Sequence, residues 1–449
     1  MSDPQGSTYR NQFGVRTTGA TSPTPLLGPD RQREILGVNA DVQNVAQWYE
    51  RAMRFWRHVN DDALGVKGIR LIEDILCKSI EVRPVLRAAV DDAEHQRLRL
   101  TANQAKVFRI IGGRRRAVVS GGAGTGKTVL AIEKAKALAT TGLSVLLLCY
   151  NRPLADSLAI GLKDEPLIRA QTYHQLCDQR IKQSYHKGKD LLTEAADAYP
   201  GTDEKHRFDV QMPYALALSA DVLDEKFDAV VVDEAQDFSD EYWLGVEMIL
   251  RDQEKGHLYI FIDENQVLYP RKGKLPIEDE PFYLTSNCRN TAPIHNEGYS
   301  FYRGSPIDIP ELAGQDVIWT AVDKVDGQAD SVAKRVHQWV QVEGLRPEDV
   351  AVLVAKRPKG FPYELLQLRF ESAGAEWAFE VHGKAKCVLV DTVARFKGLE
   401  AQAVVLWLGD EVVTEQHWET LYVGTTRAKT LLAIVGSHSA LKVLRGRGL

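Results

Sequence analysis

Short, almost wholly apolar runs alternate along most of this chain with longer stretches whose apolar positions repeat at helical spacing. The runs Ala117–Ser120, Val145–Cys149, Ala229–Val232 and Leu258–Ile262 predict strands buried on both faces, as in a parallel sheet covered by helices. Between the first two, Val129–Leu138 predicts a helix. A second set, Val317–Trp319, Val350–Val354, Val388–Leu389, Val404–Leu408 and Leu432–Val435, predicts a second α/β unit of similar build. Ahead of both, Val42, Val45, Ala46, Tyr49, Met53 and Trp56 recur at helical spacing, and helical patterns follow at Leu71–Ile80 and Val85–Leu98. Residues 1–30 are rich in Ser, Thr, Gly, Pro and Gln and predict a flexible tail. The expected organisation is a tail (1–30), a helical N-terminal module (31–97) and two α/β domains (98–285 and 286–449). A cleft between two such domains is the expected place for a ligand.

Composition narrows the picture only a little. The 449 residues are 44% apolar and 26% charged, ordinary for a globular protein. A net charge of −5 provides no global attraction to nucleic acid, so any such binding must come from a local basic groove. Candidates are the cluster Arg180, Lys182, Tyr185, His186, Lys187 and Lys189 and the cluster Arg271, Lys272 and Lys274, for each of which an exposed loop is the simpler reading. A solvated face is likewise the simpler reading of Arg51, Arg54 and Arg57 on the first helix. The five cysteines lack C-x2-C spacing, which argues against zinc and a disulfide framework and for a reducing compartment. No secretory signal and no membrane-length apolar run is evident, so the expected setting is cytoplasmic, with no membrane contact.

The chemistry is concentrated in Gly121-Gly122-Ala123-Gly124-Thr125-Gly126-Lys127-Thr128, a complete G-x4-G-K-[ST] sequence placed between a predicted strand and a predicted helix. Glycines let backbone N–H groups wrap around phosphate oxygens, and the helix N-terminus adds partial positive charge. Lys127 is placed to reach the β- and γ-phosphates and Thr128 to ligate Mg²⁺, so the pattern points to a nucleoside triphosphate. Downstream, Asp233-Glu234-Ala235-Gln236-Asp237 follows the apolar run at 229–232. A carboxylate at a strand end beside a phosphate loop can hold Mg²⁺, and its neighbour can activate water.

This acidic motif resembles the second motif of superfamily 1 helicases of the UvrD/Rep type, and the remaining motifs follow in family order. Leu100-Thr-Ala-Asn-Gln104 resembles the adenine-reading glutamine motif. Cys149-Tyr150-Asn151-Arg152 and Thr172-Tyr173-His174 resemble segments that touch single strands. Ile262-Asp263-Glu-Asn-Gln266 with Tyr269 resembles the third motif, Asn287-Cys288-Arg289-Asn290 the fourth, Asp391-Thr392-Val-Ala-Arg395-Phe-Lys397-Gly398-Leu-Glu400 the fifth, and Val423-Gly424-Thr-Thr426-Arg427-Ala428 the sixth. The resemblance spans roughly residues 98–440 and implies two RecA-like domains with ATP and Mg²⁺ between them. It implies that Gln266, Arg289 and Arg427 sense and stabilise the γ-phosphate, that Gln104, Gly398 and Glu400 contact base and ribose, and that Asp233 and Thr128 hold the metal ion. It further implies a single-stranded track that includes Tyr150, Asn151, Arg152, Thr172, His174, Tyr269, Thr392 and Arg395, with 3′-to-5′ movement. The preferred polymer is DNA, with RNA as the open alternative.

Three departures from the family pattern stand out. Cys288 stands where an aromatic usually stacks on adenine, Pro270-Arg271-Lys272-Gly273 replaces an aromatic-arginine-glycine run, and Ala394 replaces a common histidine. The short spacings between motifs leave no room for large inserted subdomains. In this the chain resembles compact helicases often linked to nuclease-related (NERD) domains, although its N-terminal helices carry no E-x-K-like site. A second reading is an ATP-gated regulatory subunit controlling a protein partner, such as a nuclease, through the N-terminal helical module.

Overall fold

The computed structural model describes residues 111–263, 275–355, 361–369, 376–379, 386–409 and 417–445, together with Leu86, Val90 and Ala93. The predicted tail, the rest of the N-terminal helices, Gln104, Gln266, Tyr269 and the 271–274 basic cluster lie outside the described residues.

Near-continuous apolar runs are what a strand needs when helices cover both of its faces, and such strands pair in parallel here. The first sheet holds β1 (Arg116–Gly121), β2 (Val145–Cys149), β3 (Ile168–Thr172), β4 (Ala229–Val232), β5 (His257–Ile262) and β6 (Phe282–Leu284). Their order is β3-β2-β4-β5-β1-β6, and every pairing is parallel. The second holds β7 (Ile318–Ala321), β8 (Val350–Val354), β9 (Glu376–Phe379), β10 (Cys387–Thr392), β11 (Ala401–Trp407) and β12 (Ala428–Gly436). It is also wholly parallel, ordered β7-β12-β11-β8-β10-β9. These are two RecA-like α/β domains.

Side chains along each strand alternate between two separate cores. In the first domain Val119, Leu147, Val231 and Phe261 pack on one face, while Val118, Leu146, Val230 and Ile260 pack on the other. In the second domain Val352 and Val405 oppose Leu353 and Leu406 in the same way. Each fully buried aliphatic side chain contributes about 1.5–3 kcal/mol. Leu86 and Val90, from the segment preceding the first domain, belong to the core of the second sheet, beside Val332 and Trp339.

Five helices carry the site: α1 (Lys127–Thr140), α2 (Arg152–Gly161), α3 (Tyr173–His186), α4 (Ala292–Tyr299) and α5 (Trp418–Thr426). The expected central strands appear where the pattern put them, within a few residues at the ends. Strands β3, β6 and β9 were not anticipated; each lies at a sheet edge, where one side has no neighbour and the apolar signal is weaker. The exposed-loop reading of the 180–189 cluster is corrected: Arg180, Lys182, Tyr185 and His186 lie on α3, the last three exposed and Arg180 buried. Arg180 is 1% exposed, and its Nε donates to Ser219 Oγ at 2.8 Å and its Nη1 to the Glu225 carbonyl at 3.0 Å. It is a structural cation, because burial without those acceptors would be costly.

Candidate active site and nucleic-acid interface

The phosphate loop leaves β1 at Gly121 and enters α1 at Lys127. Gly124 and Gly126 have φ of +82° and +87°, a region that glycine enters without the Cβ penalty. A Cβ on Gly124 would in addition collide with the Asn287 and Asn290 side-chain oxygens. Helix α1 has no side-chain N-cap and no acidic residue in its first turn, so its leading N–H groups and dipole face the loop unneutralised. Lys127 Nζ donates to the carbonyls of Gly121 (2.7 Å) and Gly122 (2.9 Å) and pairs with Asp263 at 3.3 Å. Asp263, directly after β5, is a partner to which the sequence assigns no role; its place just beyond the apolar run 258–262 was the available signal, and the adjacency of β5 to β1 brings it to Lys127.

The β4 end supplies Asp233 and Glu234. The Thr128 hydroxyl donates to Asp233 Oδ2 at 2.7 Å, while the buried Asp233 Oδ1 has no hydrogen-bond partner among the described residues. Burial and the adjacent Glu234 push the Asp233 carboxyl up to about 7. Burial acts on Glu234 in the same sense, but Lys127, Lys397 and Arg427 outweigh it and hold that carboxyl below its ordinary value. Glu234 itself sits in the left-handed region, φ +53°, which is strained for a side-chain-bearing residue. Gln236 fixes it there, donating to Glu234 Oε2 while accepting from the Asp263 N–H at 3.0 Å.

The second domain contributes cations to the same place. Ala123, Gly124, Gly126, Lys127 and Thr128 line one cavity together with Glu234, Arg289 and Arg427. Arg289 is anchored by Glu400 at 2.7 Å, and Lys429 reaches the other Glu400 oxygen at 3.3 Å. Arg427 is fully buried, its Nε donating to the Val423 carbonyl at 3.1 Å; burial first, then Arg289, lower its pKa to about 10, so it stays charged at neutral pH. Two tyrosines grip the loop itself: Tyr299 donates to the Ala123 carbonyl and Tyr422 accepts from the Ala123 N–H, both at 2.6 Å.

A second set of contacts joins the domains beside the β2 end. Asn151 Nδ2 donates to the Arg395 carbonyl at 3.0 Å and to the Lys397 carbonyl, and Lys397 pairs with Asp237 at 2.7 Å with little exposure of either. Gly398, φ +81°, turns the chain closely against Leu154 of α2. Of the expected track residues, Tyr150 (43% exposed) and Arg152 (side chain 78% exposed) present themselves to solvent, while Arg395 is tied to Asp391 at 3.2 Å. The Thr172 hydroxyl is spent capping α3 in a reciprocal pair with Gln175, and Thr392 Oγ1 accepts from the Arg395 N–H. His174 stands between two exposed rings, 5.6 Å from Tyr150 and 5.3 Å from Phe208. Phe208 was missed from sequence. It lies on a π-helical turn, Arg207–Gln211, and the adjacent Arg207 and Phe208 in a polar stretch were the available signal.

Residues 104–272 match the family model described as an AAA domain, and residues 388–435 match the UvrD-like helicase C-terminal domain. No curated protein matches the chain. Among solved structures it is similar to the C-terminal domain of a possible DNA helicase from Lactobacillus plantarum WCFS1. That match is 17% identical, covers 35% of this chain and 92% of that chain, and has a TM-score of 0.28.

Proposed function

Because the chain is of the UvrD/Rep helicase type, we propose that it is a nucleic-acid-stimulated ATPase that moves along single-stranded DNA. The observation that carries this reading is the shared cavity, in which a phosphate loop and carboxylate of the first domain meet Arg427, beside β12 of the second sheet, and Arg289, from the loop that leads from β6 into α4. Phosphoryl transfer spreads negative charge over equatorial oxygens, so cations arriving from across a cleft stabilise its transition state. When they come from a second domain, turnover is tied to the relative position of the domains, which is what a motor needs.

The residues present fit a nucleoside triphosphate with Mg²⁺. An uncapped helix N-terminus suits phosphate, and Asp233 Oδ1, without a partner among the described residues and beside the Thr128 hydroxyl, suits a hydrated divalent ion. When bound, that ion neutralises charge on the β- and γ-phosphates. In this reading Lys127 exchanges its loop carbonyls for phosphate oxygens, and Glu234, kept ionised by its three cations, accepts the proton of the attacking water. Arg289 and Arg427 stabilise the charge that develops on the γ-phosphate, with Glu400 holding Arg289 in place. Tyr150 and Phe208, on either side of His174, supply base-stacking surfaces that the altered sequence after Tyr269 lacks. Asn151 and Lys397 tie that surface to the cleft.

The test is steady-state ATP hydrolysis at low salt, alone and with single-stranded DNA, single-stranded RNA or duplex DNA. Strong stimulation by single-stranded DNA that disappears in Lys127→Ala is the expected result. Stimulation by RNA alone reassigns the track, and hydrolysis indifferent to every polymer replaces the motor with an ATP-gated protein that controls a partner.

A further inference from the structure

The geometry points to Asn290 as a positioning residue that locks Arg289 and Arg427 into one unit. Asn290 follows Arg289 in the loop after β6 and is fully buried. Its amide donates to the Thr426 carbonyl at 3.0 Å and to the Ala428 carbonyl at 2.5 Å, the carbonyls of the two residues on either side of Arg427. Both of its N–H donors are thus spent on either side of a single residue, at the point where α5 ends and β12 begins. Its Oδ1 accepts from Asn287 Nδ2 at 2.9 Å, and Asn287 Oδ1 in turn accepts the N–H groups of Arg289 (2.9 Å) and Asn290 (3.2 Å). His295 Nδ1, 3.0 Å from Asn287 Nδ2, completes the network from α4, and burial keeps that imidazole neutral, with a pKa lowered to about 4.

The network also reaches the phosphate loop. The Cys288 N–H donates to the Gly124 carbonyl at 2.9 Å, and the Asn290 oxygen lies 2.7 Å from where a Gly124 Cβ would stand. A buried polar network with every member satisfied holds one geometry and resists others. Here it holds both arginine-bearing loops in a common register against the loop that binds phosphate. Arg289 and Arg427 should therefore approach and leave the γ-phosphate together.

This inference rests on the ATPase reading. The experiment uses the full chain with Mg²⁺ and single-stranded DNA, comparing Asn290→Ala, Asn290→Ser, Arg427→Ala and the Asn290→Ala/Arg427→Ala double variant. Misplacing a catalytic group by about 1 Å costs on the order of 10²-fold, so kcat of Asn290→Ala should fall by about 10- to 100-fold with KM for ATP little changed. Asn290→Ser, which keeps one donor, should lie between it and wild type and serves if the alanine variant does not fold. The double variant should be slower than Arg427→Ala by a smaller factor than Asn290→Ala is slower than wild type, the remaining loss coming from Arg289. Undiminished kcat in Asn290→Ala, or fully additive losses in the double variant, would overturn the assignment while leaving the ATPase reading intact. A wild-type protein that binds a fluorescent ATP analogue but never hydrolyses ATP overturns both.

Discussion

Replacing Glu234 with glutamine should separate binding from turnover in this site. The substitution is nearly isosteric, and the left-handed backbone at φ +53° strains both residues equally, so the turn it occupies should persist. The hydrogen bond from Gln236 survives, since an amide oxygen still accepts. What disappears is one negative charge and one proton acceptor. Lys127, Lys397 and Arg427 now act on Glu234; without it their field falls on whatever anion enters the cavity. Binding of ATP should therefore hold or tighten. A positioned general base contributes about 10²- to 10⁴-fold, so kcat should fall by that factor, equivalent to about 2.7–5.5 kcal/mol in the barrier. The assay pairs steady-state hydrolysis at saturating Mg²⁺–ATP and single-stranded DNA with equilibrium binding of a fluorescent nucleotide. Undiminished hydrolysis would refute the placement of Glu234 as the base. Lost binding with intact folding would refute the electrostatic argument instead.

Two further outcomes follow from the same geometry. The Asp233 carboxyl, raised to about 7, favours its neutral form. In the absence of divalent ion its contribution to stability is thus full below the ordinary carboxylate range and lost as pH rises through about 7. An ion that selects the charged form should accordingly raise the melting temperature more at about pH 8 than at about pH 6, and equal shifts in melts with Mg²⁺ and with EDTA would contradict this. Phe208→Ala should weaken single-stranded DNA binding by about 1–3 kcal/mol, roughly 5- to 150-fold in Kd, with ATP affinity unchanged because the ring lies at the His174 cluster and not in the phosphate cavity. Fluorescence anisotropy with a labelled oligonucleotide checks it, and an unchanged Kd removes Phe208 from the track.

Much of the chemistry was legible in one dimension because it is local. A phosphate loop needs its glycines, lysine and threonine within eight consecutive positions, and a parallel central strand buried on both faces must be a short apolar run. The Gly121–Thr128 loop, the Asp233–Glu234 pair and strands β1, β2, β4, β5 and β8 follow from those requirements alone. Edge strands β3, β6 and β9 escaped because a strand with one free side carries polar residues, as Arg169 and Gln171 do in β3.

Contacts between distant segments had to wait for tertiary structure. Nothing local to Lys127 names Asp263 as its partner, and nothing local to Arg427 names Asn290, more than a hundred positions away. Basic residues in a row at 180–189 look alike in sequence, yet the period of α3 buries Arg180 among acceptors while Lys182 faces solvent. Phe208 acquires a role only when a π-helical turn brings it against His174. Local rules set by backbone geometry and burial thus determine the central strands of the two sheets and the phosphate loop from sequence alone. Which cations, carboxylates and rings converge was decided by the fold, because each such pair joins segments that are distant along the chain and meet only through tertiary packing.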